Sequence, residues 1–313
     1  MPTRRLRFAL LLVDEKNPYQ LMLQADAEAM ARRMNVELEV HFCAREAGEQ
    51  LRRFYTHLQA EPAERPHAIL IVPHRDAVLV RAAREAAELG IGLAVLNRVP
   101  ANLEAVRLEH PEVPVLSFSP DQTDIGRIQG EQFNTLLPRG GRLAYVRGDT
   151  TTASSRERQA GMEEMVQGMP IEVNVLEGAW VAEQARKSVA FWLRSMALMN
   201  APVDLIGCQN DDMALGARAA VEAVAAELNR PELKTVPITG CDGVPAHGQK
   251  YVSTGLLAAT IISPSTSGAA VEALALFYSR GEQPPARTVL KARSFPDLAS
   301  LAARGRVGPT PRR

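Results

Sequence analysis

The chain has 313 residues, 46% of them hydrophobic, and its 36 Lys plus Arg balance 36 Asp plus Glu to a formal net charge of zero. That length exceeds one small domain and suffices for two lobes of roughly 150 residues, each with its own core. Charge balance removes the global field that draws in nucleic acid, and no apolar run approaches the roughly 18 residues of a membrane span.

Residues 8–13, FALLLV, follow Arg4, Arg5 and Arg7 and imitate the start of a secretory signal. The run stops at Asp14-Glu15-Lys16 with no small-residue cleavage site behind it, so it reads as a first strand. As written the chain reads as cytoplasmic, or as periplasmic if its N-terminus is incomplete. A helix follows over 19–34, where Leu21, Met22, Ala25, Ala29 and Met30 fall near helical spacing. Then come a strand at 36–42, a helix at 48–59, a strand at 68–72 and a helix at 76–89 closed by Gly90. Strands at 91–96 and 113–118 complete a first β-α-β-α series, the signature of a parallel, doubly wound sheet.

A helix over 121–137 ends at Pro138-Arg139-Gly140-Gly141, a strong turn signal, and the pattern restarts. Strands at 143–146, 171–176, 205–208, 235–239 and 257–262 alternate with helices at 154–167, 182–199, from 214 through 220 and beyond, 244–251 and 267–278. The expected fold is α/β, with two doubly wound parallel-sheet lobes joined by a hinge near 117–121. The first lobe spans 6–120 and is completed by 264–282, the second spans 121–263 and is completed by 283–297, and 298–313 reads as a disordered tail.

In LIGCQNDDMALGAR, residues 205–218, a buried strand passes into a helix with no Gly or Pro at the junction, so Gln209 to Asp212 stand at the strand's carboxyl end. Open parallel sheets bind ligands at that edge. Asp211 or Asp212 is expected to cap the helix. The residues after the other strands are Asn17-Pro18-Tyr19, Asn97-Arg98, Asp121, the stretch from Thr152 to Arg158, Trp180, Asp242 and Ser263. Planar amides, carboxylates and guanidinium groups contact paired hydroxyls, and aromatic faces cover sugar C–H surfaces. Phe191-Trp192 reads as core packing. Cys43, Cys208 and Cys241 lack C-x-x-C spacing and read as reduced, buried thiols. The six histidines show no paired ligand spacing, so neither a metal nor a cofactor is expected.

Asn17-Pro18-Tyr19, Asn97-Arg98, SSRERQAGM (154–162), QNDDMALGA (209–217) and Gly240-Cys241-Asp242-Gly243 together resemble the periplasmic sugar-binding proteins of the ribose-binding type. Their fold is shared with the effector core of lactose-repressor-type regulators. The resemblance covers about 6–296 and implies that Tyr19 and Trp180 stack on a sugar ring. It implies that Asn17, Asn97, Arg98, Arg158, Asn210 and Asp242 hydrogen-bond its hydroxyls, with Asp121 and Ser263 at the same edge. Asn97 stands where the family commonly has Asp, and Ser263 where the ribose-binding type has Gln, so ribose itself is not implied. The implied function is closure of two lobes over a small sugar or polyol, without catalysis, for an ABC permease or a separate sensor kinase or regulator. No nucleic-acid partner and no membrane insertion are expected. The other reading, a regulator's effector core lacking its DNA-binding domain, fits only six or seven residues before the first strand. No G-x-S-x-G, P-loop or G-x-G-x-x-G motif points to an enzyme.

Overall fold

The computed structural model describes residues 5–74, 79–100 and 103–305. The chain opens with β1 (Arg7–Leu12), α1 (Pro18–Arg33), β2 (Glu37–Phe42), α2 (Ala47–Gln59), β3 (Ala68–Ile71) and α3 (Leu79–Glu88). It continues through β4 (Gly92–Leu96), α4 (Leu103–Glu109), β5 (Val115–Pro120), α5 (Gln122–Leu136), β6 (Gly141–Arg147) and α6 (Ala153–Val166). Then follow β7 (Ile171–Glu177), α7 (Ala182–Leu198), β8 (Leu205–Cys208), α8 (Asp211–Glu227), β9 (Ile238–Thr239) and α9 (Lys250–Ser253). The last elements are β10 (Thr260–Ile262), α10 (Ser267–Arg280), β11 (Arg287–Leu290), β12 (Arg293–Phe295) and α11 (Leu298–Gly305). They fall into two compact units: the chain up to Pro120 with Pro264–Leu290, and Asp121–Ser263 with the residues from Lys291.

The first unit is a six-stranded, wholly parallel sheet in the order β11-β5-β4-β3-β1-β2. Its inner strands β1, β3 and β4 are continuous apolar runs because both faces are covered. Ala9, Leu11, Ile69 and Ile71 pack against Phe54 and Leu58 of α2, the alanines of α3, and Leu103 and Val106 of α4. Phe8 faces the other way by strand alternation and meets Tyr278 of α10, which packs on α1.

In the second unit β7-β6-β8-β9 form a parallel sheet, and parallel bridges Thr239–Ala259 and Asp242–Ile262 carry it toward β10. Leu143 and Tyr145 face Phe133 and Met162 of α5 and α6, while Ala144, Val146, Ile206 and Cys208 face α7 and α8. Helices α5 and α6 touch through glycine. A Cβ on Gly126 would lie 2.1 Å from the Arg158 carbonyl oxygen, and one on Gly161 would lie 2.0 Å from that of Thr123. This close approach brings Arg158 of α6 beside the first turn of α5.

Two α/β units with parallel sheets are as expected, and four details differ. Residues 287–290 form β11 and pair with β5 of the first unit rather than completing the second. Residues 298–305 are the helix α11 rather than tail, because Leu301 buries its side chain where α11 packs on α5; residues 306–313 lie outside the described residues. The 235–239 strand shrinks to β9 because Pro231 opens a 3-10 turn over Pro231–Thr235. Trp192 is core, but Phe191 is 74% exposed on the outer face of α7. The three cysteines are free and buried. Among the described residues no helix is long and apolar enough to cross a membrane.

Candidate functional site

In each parallel sheet every strand ends at the same edge, and the polar residues singled out above follow those ends. In the first unit Asn17 precedes α1 and caps it: its Oδ1 accepts from the Tyr19 and Gln20 amides at 2.9 and 3.1 Å. That capped turn fixes Tyr19, which is buried and directs its hydroxyl to Asn97 Oδ1 (3.2 Å) and the Pro264 carbonyl (3.0 Å). Asn97 Oδ1 also accepts from Thr266 Oγ1 at 2.8 Å. Asn97 Oδ1 is thus engaged by two hydroxyls, and unlike an aspartate the side chain also carries an amino donor. Arg98 follows and donates to the His74 carbonyl at 3.4 Å. Tyr19 is thus held through its hydroxyl in a polar cluster, with Thr266 a member that the sequence reading did not name.

The second unit centres on Arg158, which is 7% exposed. Its Nε donates to Gln122 Oε1 (2.8 Å), and Nη1 donates to the Gln209 carbonyl (2.5 Å) and Cys241 Sγ (3.4 Å). The guanidinium also lies 5.5 Å from the centroid of the Trp180 ring, a cation–π contact. Trp180 rests on the backbone at Gly148, where a Cβ would come within 2.0 Å of the indole. The indole Nε1 is buried and makes no hydrogen bond, a donor that a ligand oxygen would satisfy.

Beneath Arg158 a fully buried chain of hydrogen bonds fixes the strand ends. Gln209 Oε1 accepts from the Gly148 amide, and its Nε2 donates to Tyr145 Oη and the Ser155 carbonyl. Tyr145 donates to Gln129, which donates to the Cys208 carbonyl. Burial pushes the Tyr145 and Cys208 protons off only at very high pH and lifts the Cys241 thiol to about 12, so none of the three is a reactive group.

Asn210, and neither aspartate, caps α8: its Oδ1 accepts from the Met213 amide at 2.8 Å. This corrects the expected cap. Asp211 turns inward, where Oδ1 accepts from Thr260 Oγ1 (2.7 Å) and Oδ2 from the Gly243 amide (2.9 Å). A Cβ on Gly240 or Gly248 would collide with that carboxylate at 2.2 or 2.0 Å, so both glycines make room for it. Burial lifts Asp211 to about 7, opposed by those two hydrogen bonds and by Arg158. Asp242 is driven well above the usual carboxylate range, by burial first and then by the charge of Asp211.

Three of the ten expected residues adopt left-handed or otherwise rare backbone angles: Asn97 (φ 64°), Trp180 (φ 65°) and Asp242 (φ 115°). Such conformations cost about 1–3 kcal/mol each for a non-glycine residue and concentrate at functional sites. Asp242 is pinned by the Asp242 N to Ile261 O and Ser263 N to Asp242 O hydrogen bonds, which also place the buried Ser263 beside it. Asp121 is exposed and caps α5 through the Asp124 amide, one residue before the Gln122 that accepts from Arg158. Asn17, Tyr19, Asn97 and Arg98 therefore gather in the first unit. Arg158, Trp180, Asn210, Asp242 and Ser263 gather in the second.

Known proteins share this fold. The ribose import binding protein of Escherichia coli strain K12 is 25% identical over 253 residues, covering 81% of this chain and 77% of that protein. The myo-inositol binding protein of Caulobacter, solved with myo-inositol, superposes with a TM-score of 0.80 at 20% identity over 95% of each chain. A periplasmic solute binding protein of an ABC transporter from Actinobacillus succinogenes 130z, solved with D-allose, gives 0.79 at 20% identity over 96% of this chain and all of that one. The profile of the periplasmic binding protein domain matches residues 8–282. The chain belongs to the periplasmic binding protein family, of the ribose-binding type.

Proposed function

We propose that the chain binds a small sugar or polyol without chemical turnover, closing its two lobes over the ligand with contacts from the strand-end residues of both. Its family is one of non-enzymatic solute binders. The observation that carries the reading is Arg158, held rigidly by Gln122, the Gln209 carbonyl, Cys241 and Trp180 beside Asp242 and Asn210. This is a preorganised set of donors, acceptors and one aromatic plane suited to vicinal hydroxyls. The partner we infer is an ABC permease or a separately encoded sensor that reads the closed form. Cell fractionation of the native protein decides between a periplasmic and a cytoplasmic site of action.

A thermal-shift panel of pentoses, hexoses, sugar alcohols and inositols tests the reading. A ligand at 100 times its Kd adds about 2.7 kcal/mol of stability, a readily measured rise in melting temperature. A hit that Arg158→Lys and Asp242→Asn both abolish supports the reading. A panel without any hit counts against it.

A further inference from the structure

The first unit carries a second constellation, none of whose residues belongs to the strand-end set. Strand β2, ELEVHF, is the edge of the six-stranded sheet. Side chains alternate along a strand, so Leu38, Val40 and Phe42 face one side, and Glu37, Glu39 and His41 face the other. The register Ala9↔Glu39 and Leu11↔His41 sets the polar row beside the β1 residues that pack under Phe54 and Leu58 of α2. His57, next to Leu58 near the end of α2, completes the group. The His41 and His57 rings are 5.2 Å apart between centroids at 52°.

The donor atoms converge. His41 Nε2 lies 2.8 Å from Glu39 Oε1, yet it is buried and makes no hydrogen bond. One donor atom each from Glu39, His41 and His57 lies within 4.8 Å of the others. Ligands bound tetrahedrally at about 2.0–2.2 Å to one ion sit about 3.3–3.6 Å from one another. To hold an ion the Glu39–His41 pair, at 2.8 Å, would open slightly and the His57 donor would draw in from within 4.8 Å. A purely apolar edge would not bring two imidazoles and a carboxylate together in this way.

We propose that Glu39, His41 and His57 form a binding site for one borderline divalent cation of the zinc, cobalt or nickel kind. Two imidazoles and one carboxylate suit such ions and do not suit Mg²⁺ or Ca²⁺, which take oxygen ligands. Glu39 is exposed, so water or a solute fills the remaining coordination. The ion ties the last turn of α2 to an edge strand that has no outer neighbour. Motif spacing along one helix does not disclose this site, because its residues lie two apart on a strand and sixteen further on along a packed helix.

The test uses the untagged full chain titrated with Co²⁺, read by visible absorption, and Zn²⁺ displacing it. We expect one equivalent bound. His41→Asn, His57→Gln and Glu39→Gln should each weaken binding at least tenfold, since even outer-sphere changes cost 10–100-fold, while His110→Asn leaves it unchanged. Circular dichroism without metal confirms that each variant is folded. Should a variant not fold, substoichiometric Cu²⁺ added to the unaltered protein must broaden the NMR ring signals of His41 and His57 first. Absence of stoichiometric Co²⁺ and Zn²⁺ binding, binding that survives the His41→Asn/His57→Gln pair, or broadening confined to other histidines overturns the proposal.

Discussion

Asp211 gives the sharpest test of the electrostatics in the second unit. Its buried carboxyl is raised from an ordinary 3.8 to about 7. Between those values the folded chain keeps a proton that the unfolded chain has lost, so the unfolded state binds fewer protons and stability falls as pH rises. The contribution is fully present below about pH 4 and gone above about pH 7. A shift of that size amounts to about 4 kcal/mol over the window, or about 1.4 kcal/mol per pH unit at its steepest. Asp211→Asn removes the titration while keeping the shape. Its carbonyl can take the Gly243 amide and its amino group the Thr260 oxygen, so the fold should survive with an offset of about 1–2 kcal/mol.

Both tryptophans, Trp180 and Trp192, lie in the second unit. Urea unfolding followed by tryptophan fluorescence therefore reports that unit. Asp242 is also raised well above the usual carboxylate range, by burial first and then by the charge of Asp211. From about pH 4.5 to about pH 7 the stability of the wild type should fall more steeply than that of the variant, by up to about 1.4 kcal/mol per pH unit. Equal slopes refute the assignment of Asp211 as a buried, proton-holding carboxyl.

Gly148→Ala puts a methyl 2.0 Å from the Trp180 ring, so the indole must leave its seat; a shifted emission spectrum and at least tenfold weaker sugar binding should follow, and an unchanged spectrum contradicts the packing. Asn210→Ala removes the cap on the Met213 amide and should cost about 1 kcal/mol in urea unfolding besides weakening ligand binding. Leu301→Ala in α11 empties a position only 2% exposed and should cost about 2–4 kcal/mol. Amides of 298–305 that exchange as slowly as in the wild type would show that the helix does not depend on this contact.

The strands most legible in the sequence were those buried on both faces, such as β1, β3, β4 and β8, where a continuous apolar run leaves no other reading. Helix α4, LEAVRLE, escaped because seven residues carry too little periodicity to stand out from a loop. Strands β11 and β12 escaped because RTVL and RSF are short, half-exposed edges whose pairing comes from distant chain. Alanine-rich α11 was masked by the Gly, Pro and Arg that follow it.

The candidate residues were found by one rule, that polar side chains after parallel strands face the ligand edge. The rule identified positions but not partners. It could not show that the Asn17 and Asn210 carbonyls are spent on caps, that Asp211 turns inward, or that Gln209 and Gln122 brace Arg158. The Gln122 brace on Arg158 depends on α5 and α6 meeting through Gly126 and Gly161, a contact between residues far apart in sequence.

The proposed binding of one sugar or polyol per chain is tested most directly by calorimetric titration of the best panel ligand into three proteins. These are the wild type, Arg98→Lys in the first unit and Arg158→Lys in the second. The account predicts one ligand per chain in the wild type and at least tenfold weaker binding in each variant, because a lysine cannot reproduce the forked guanidinium. No ligand heat in the wild type, or full affinity in either variant, would contradict it.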